Sequence, residues 1–111
     1  MKEAVFTGTA TALVTPFGTD GIDFGALDRL LRMQLDAKIP ALVICGTTGE
    51  CGTLTREEKA HLWMHCVHYV DGACKIIAGI SSNCTQAAAE LAQTAERCGA
   101  DALLAVTPYY N

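Results

Sequence analysis

Residues 45–50, Cys45-Gly46-Thr47-Thr48-Gly49-Glu50, set two vicinal hydroxyls between two glycines, with a carboxylate behind them, at the end of the apolar run 41–45. Gly46 would let a ligand approach the backbone closely. Thr47 and Thr48 offer two hydroxyls and successive backbone N–H groups, donors that suit a small carboxylate. An ordinary strand-to-loop turn would use the same residues. The stretch is not a phosphate loop. It lacks the Gly-Lys-Ser/Thr ending of a Walker loop and the GxGxxG of a dinucleotide site. A second motif, Thr107-Pro108-Tyr109-Tyr110-Asn111, also follows an apolar run. Pro108 fixes the exit from that run, and Tyr109 and Tyr110 supply phenols able to relay protons. Tyrosines packed at a subunit interface are the alternative.

His61, His65 and His68 share one helical face, while Leu62, Trp63, Cys66, Val67 and Val70 take the opposite one. The histidines therefore point away from the core. No carboxylate or thiolate is placed to complete a metal ligand set, so they read as surface or interface residues.

These motifs need a scaffold that ends several strands on one side. Residues 9–14 read as a first strand, closed by Thr15-Pro16 and a turn at Gly18-Thr19-Asp20-Gly21. Asp23 to about Ala37 reads as a helix, with Leu27, Leu30, Leu31 and Leu35 on one stripe. Residues 41–45 form a continuous apolar run, as in a strand buried on both faces. Thr55-Arg56-Glu57-Glu58 is a capping box that starts a second helix running to about Val70. Lys75 to Gly79 is a third strand. Asn83 or Thr85 caps a third helix, which ends at Gly99. Residues 102–106 make a fourth strand. The order is β-α-β-α-β-α-β, with successive strands roughly 30 residues apart, the size of a βαβ unit. Such alternation predicts a parallel sheet with helices outside. A small doubly wound sheet and part of a (β/α)₈ barrel both satisfy it, the whole barrel needing ~250 residues. The chain stops just past a strand with no helix to cover it. By sequence alone the chain looks like the first half of something, and four strands of a barrel would leave two open edges and an apolar interior face.

Composition narrows the chemistry. The chain has 111 residues, is 50% hydrophobic and 18% charged, and carries a net charge of −4. No basic cluster suggests nucleic acid. No apolar run approaches the ~20 residues of a membrane span. The N-terminus does not read as a signal peptide. Six cysteines lie mostly in apolar segments without a CxxC pair, so they read as free thiols in a reducing, cytoplasmic compartment. The Asn83-Cys84-Thr85 sequon is then accidental.

Taken together, ALVICGTTGE, the TLTREE helix start, IIAG with Asn83 soon after, and VTPYYN resemble the dihydrodipicolinate synthase family over essentially the whole chain. N-acetylneuraminate lyases look similar. They usually carry Ser-Thr in the first motif and Phe-Tyr-Tyr in the second, so Thr47-Thr48 and Tyr109-Tyr110-Asn111 favour the synthase. The resemblance implies the α/β fold of the first half of a TIM (β/α)₈ barrel, residues 1–111 being the N-terminal portion of a single domain incomplete at its C-terminus. It also implies a class I aldolase-type lyase without metal or organic cofactor. Pyruvate would form a Schiff base with a barrel lysine, and its enamine would attack aspartate semialdehyde on the way to diaminopimelate and lysine. Thr47 would join a proton relay, Thr47 and Thr48 would hold the pyruvate carboxylate, and Tyr110 would reach into the neighbouring subunit of a dimer or tetramer to complete the relay.

Some family residues are missing or changed. The Schiff-base lysine, the tyrosine partner of Thr47 and the entrance arginine all fall beyond Asn111, so the 111 residues alone are expected to be inactive. Lys75 begins a strand remote from the motifs and cannot stand in. Lys38 replaces a helix-ending glycine. Gly79-Ile80-Ser81-Ser82-Asn83 replaces the more usual Gly-Thr-Gly-Ser-Asn. Lysine-inhibited members commonly use a histidine on the second helix and a glutamate on the third, matched here by Lys59 and Ala87. That exchange predicts insensitivity to lysine. Two other readings remain: a sialic-acid or keto-sugar-acid aldolase, and a non-catalytic half-barrel that binds or assembles.

Overall fold

The computed structural model describes residues 2–110. Its main sheet contains four parallel strands, β1 (Ala10–Ala12), β4 (Ala41–Ile44), β5 (Lys75–Gly79) and β6 (Ala102–Leu104), hydrogen-bonded in the order β1-β4-β5-β6. Three helices connect them: α1 (Phe24–Asp36), α2 (Arg56–Val70) and α3 (Thr85–Arg97). Spatial order follows chain order with no reversal. Right-handed crossovers that always advance in one direction put every helix on the same face. A doubly wound sheet must reverse its strand order, so this arrangement selects the barrel over the open sheet. The registers Ala12↔Val43, Ile44↔Ala78 and Gly79↔Leu104 bring the ends of all four strands to one rim.

The helices start and stop where local chemistry dictates. Asp23 caps α1 by accepting from the Ala26 N–H, and Thr55 and Glu58 form the complete capping box of α2. α3 departs from expectation. Its N-cap is Cys84, not Asn83 or Thr85, and makes no side-chain cap bond. The Ser82 hydroxyl accepts from the Cys84 N–H at 3.1 Å, which turns the loop one residue later than Asn83 would. α1 and α3 end in the same way. Lys38 N–H donates to Leu35 and Ile39 N–H to Gln34, as Gly99 N–H does to Glu96 and Ala100 N–H to Ala95. Each is a Schellman motif with its pivot residue in the left-handed region. Gly99 is suited to its φ of +94°, whereas Lys38 holds +57° as a non-glycine.

The core lies between sheet and helices. Leu27 and Leu31 of α1, Leu62, Trp63 and Cys66 of α2, and Leu91 and Ala95 of α3 are buried against Leu42, Ile44, Ile76 and Ala78. The edge strands are less protected: Val14, just past β1, and Leu103, Leu104 and Val106, in and just past β6, are each about half exposed. β1 and β6 are the sheet's edges, as expected for part of a barrel.

Three local features differ from the sequence reading. Residues 18–21 are the turn of a small antiparallel hairpin, β2 (Phe17–Gly18) with β3 (Gly21–Ile22). β1 and β6 are shorter than residues 9–14 and 102–106; β6 stops at Leu104, whose partner Gly79 is the last residue of β5. The apolar run 41–45 leaves the sheet at Ile44, since Cys45 turns to a φ of +64°. All six cysteines are free.

Candidate functional site

The GTTGE loop leaves the C-terminal end of β4 and folds on itself. Gly49 N–H donates to the Gly46 carbonyl at 3.0 Å, Glu50 N–H to the Thr47 carbonyl at 2.9 Å, and Cys51 N–H to the Gly46 carbonyl at 3.3 Å. A single 3₁₀ turn, Cys51–Thr53, then leads to α2. Among the described residues, the N–H and hydroxyl groups of Thr47 and Thr48 have no protein partner, while those after them close the loop. The loop therefore presents adjacent donors outward at the sheet's C-terminal rim, where ligands bind in parallel α/β folds.

Three contacts from other elements hold this loop. Thr15 follows β1 and is the one buried polar residue among those described; its hydroxyl donates to the Gly49 carbonyl at 2.7 Å. Trp63 of α2 is fully buried and donates through Nε1 to the Ile44 carbonyl at 3.2 Å. Gly79 ends β5 against the root of the loop. A Cβ there would lie 2.2 Å from the Cys45 carbonyl oxygen and 2.8 Å from the Gly46 nitrogen. Only glycine allows the two backbones this approach. Sequence reasoning did not assign a role to Thr15, Trp63 or Gly79. The visible signal was Thr15-Pro16 at a strand end, mirrored by Thr107-Pro108, but its partner lies 34 residues on.

Gly46 faces packing as well as solvent: a Cβ there would meet Val43 Cγ1 at 3.1 Å. Thr47, Ser81, Val106 and Tyr109 line one cleft of about 360 Å³, together with Cys51 and Gly52. The cleft joins the loops that follow β4, β5 and β6. Ser81 braces the last of these, its Oγ accepting from the Val106 N–H at 3.0 Å. The motif tyrosines separate. Tyr109 lines the cleft, whereas Tyr110 is fully exposed with a φ of +52°. Thr48 is exposed beside the cleft without lining it. Asn111 lies outside the described residues.

No lysine lines this cleft. The nearby Cys45 is no nucleophile. Burial pushes its thiol up to about 12, only partly opposed by the Lys59 charge. The histidines do not converge on the site. His61 and His68 are exposed, while His65 bonds Asp28 of α1 at 2.5 Å and, like His61, packs against Phe24.

The chain matches the Dihydrodipicolinate synthetase family over residues 5–111. It is 45% identical over 107 residues to the 4-hydroxy-tetrahydrodipicolinate synthase of Fervidobacterium nodosum, covering 96% of this chain and 37% of that protein. Dihydrodipicolinate synthase from Thermotoga maritima superposes with a TM-score of 0.94 at 40% identity, over 97% of this chain and 37% of that one. The chloride-inhibited enzyme from Acinetobacter baumannii, solved complexed with pyruvate, gives 0.91 at 39% identity, over 94% and 36%. The chain thus spans little more than a third of the length of these relatives, and its four strands are part of their α/β barrel. Over nearly all its residues, and with a matching sheet, the chain belongs to the dihydrodipicolinate synthetase family.

Proposed function

We propose that these residues supply the carboxylate-binding and proton-relaying part of a cytoplasmic lyase. That lyase condenses pyruvate with aspartate semialdehyde on the route to diaminopimelate and lysine. The observation that carries this reading is the GTTGE loop, whose adjacent Thr47 and Thr48 donors are unpaired within the protein while backbone contacts hold the rest in place. Donors fixed before a ligand arrives need little reorganisation to bind an oxyanion. Family membership and the pyruvate complex of the A. baumannii relative support pyruvate as that oxyanion.

In this reading the Thr47 hydroxyl does double work. It orients the carboxylate and passes a proton between reacting carbon and solvent, with Thr48 completing the grip. Covalent activation requires a lysine amine that forms an imine with the pyruvate carbonyl and releases water. None of the four lysines, Lys2, Lys38, Lys59 and Lys75, lines the Thr47 cleft. The imine therefore forms on a residue outside these 111, and the 111 residues alone do not turn over substrate. Full exposure leaves Tyr110 free to enter a neighbouring subunit of a dimer or tetramer. The reading needs no metal or organic cofactor.

Intact-mass spectrometry of the product of the natural reading frame, before and after borohydride reduction with pyruvate, tests this. One reduced pyruvate on a peptide outside residues 1–111 is the expected result. No adduct, or an adduct on one of the four lysines named above, overturns it.

A further inference from the structure

The pairing of β5 with β6 ends at Gly79↔Leu104. One backbone bond continues past it, from the Ile80 N–H to the Leu104 carbonyl at 3.0 Å. Beyond that point a side chain takes over. The Val106 N–H donates to Ser81 Oγ at 3.0 Å, between residues 25 positions apart in sequence. Both residues line the Thr47 cleft, so the bond lies in its wall. Among the described residues it is the one hydrogen bond made by residues 105–110. Tyr109, three positions past this anchor, lines the same cleft, and Tyr110 is fully exposed next to it. Pro108 fixes one backbone angle between anchor and tyrosines.

A segment tied to its sheet by a single hydrogen bond stands where that bond puts it. We propose that Ser81 is a positioning residue, whose hydroxyl sets where Tyr109 and Tyr110 stand relative to Thr47. Thr47 is held separately, by the bonds within its own loop and by the Thr15 hydroxyl. The Ser81 bond is therefore what joins the tyrosine motif to the rim that carries Thr47. For turnover the proposal rests on the reading above, in which Tyr110 completes a proton relay in the neighbouring subunit. Val106 is half exposed, so water can replace the serine, and loss of the hydroxyl frees the segment without unfolding the sheet. Ser81 is outside the left-handed region, so alanine and threonine both fit its backbone.

Hydrogen–deuterium exchange and steady-state kinetics on the product of the natural reading frame test this, with Ser81→Ala, Ser81→Thr and Ser82→Ala. Ser82→Ala is the control, because the Ser82 hydroxyl accepts from the Cys84 N–H and makes no bond to the connection after β6. In Ser81→Ala the Val106 amide should exchange about two- to tenfold faster. The same variant should lower kcat about two- to tenfold while KM for pyruvate stays within about twofold of the wild type. Ser81→Thr keeps Oγ and should match the wild type in both measurements, as should Ser82→Ala. Unchanged exchange in Ser81→Ala overturns the proposal, and so does faster exchange with an unchanged kcat. The two readouts also separate this proposal from the lyase reading. A wild type that does not turn over pyruvate with aspartate semialdehyde refutes that reading, while exchange at Val106 still decides whether Ser81 holds the segment.

Discussion

Substitution of Gly79 by alanine tests whether the GTTGE loop is held by backbone-to-backbone contact. The new Cβ would stand 2.2 Å from the Cys45 carbonyl oxygen, 2.6 Å from its carbon and 2.8 Å from the Gly46 nitrogen. Non-bonded carbon contacts settle at roughly 3.5 Å, so the two segments must part by more than about 1 Å. Neither side yields easily. β5 is paired on both edges, Ala78 with Ile44 and Gly79 with Leu104, and the next residue, Ile80, donates to the Leu104 carbonyl at 3.0 Å. Cys45 is buried and already in a left-handed conformation. The cost therefore falls at the upper end of the range for overpacking, about 2–3 kcal/mol. In urea denaturation followed by circular dichroism, that loss lowers the midpoint by roughly 1–2 M. Gly52→Ala is the matched control. A Cβ there meets nothing within 4 Å, so its stability should stay within about 0.5 kcal/mol of the wild type. Equal midpoints for Gly79→Ala and Gly52→Ala would refute the argument.

Other positions give separate expectations. Thr15→Val keeps shape but leaves the Gly49 carbonyl without its buried donor, costing about 1–3 kcal/mol in the same urea assay, and Thr15→Ser should restore most of it. Lys38→Gly should stabilise the protein by about 0.5–1 kcal/mol, because a lysine holds a φ of +57° where α3 uses Gly99. Burial pushes Cys45 and Cys66 to about 12, so neither should react with a disulfide reagent at pH 8 until denaturant is added, whereas exposed Cys84 should react at once. In the complete enzyme, the proposed relay role of Thr47 requires Thr47→Val to lower turnover at least about 10²-fold with little change in folding. Millimolar lysine should not inhibit it, Lys59 and Ala87 having replaced the neutral and acidic partners a lysine ligand needs.

The parts of the fold that could be read in advance are those fixed by short-range chemistry. The capping box at Thr55 and Glu58, β5 at Lys75–Gly79, and Gly99 past the end of α3 each depend on residues within one turn of one another. What escaped depends on distance or backbone sign. The hairpin at 17–22 has strands of two residues, too short for any alternation to register. Apolar content carried the expected strand through Cys45, but hydrophobicity does not report that its φ is positive. The α3 cap moved to Cys84 because Ser82 turns the preceding loop, a bond no propensity scale contains. Of the two motif tyrosines, only Tyr109 lines the Thr47 cleft, whereas the resemblance singled out Tyr110 for the relay in a neighbouring subunit.

The same distinction explains why a third of a barrel can hold so much of a site. Thr47 is positioned by the loop's own hydrogen bonds and by Thr15, Trp63 and Gly79, one from each of three different connections, all within these residues. None of these contacts needs a later strand. In the proposed reading, the donor geometry for a carboxylate is thus set independently of the amine that would make the ligand reactive. A protein offering these residues alone should still bind a small carboxylate weakly at Thr47 and Thr48, because binding uses donors that are present. It should not reduce to a covalent adduct, because imine formation uses an amine that the cleft does not contain. A pyruvate titration that shifts the Thr47 amide resonance without yielding a borohydride-stable mass gain would separate the two functions. A shift abolished by Thr15→Val in a protein that remains folded would show that the grip depends on the distant threonine that holds the loop.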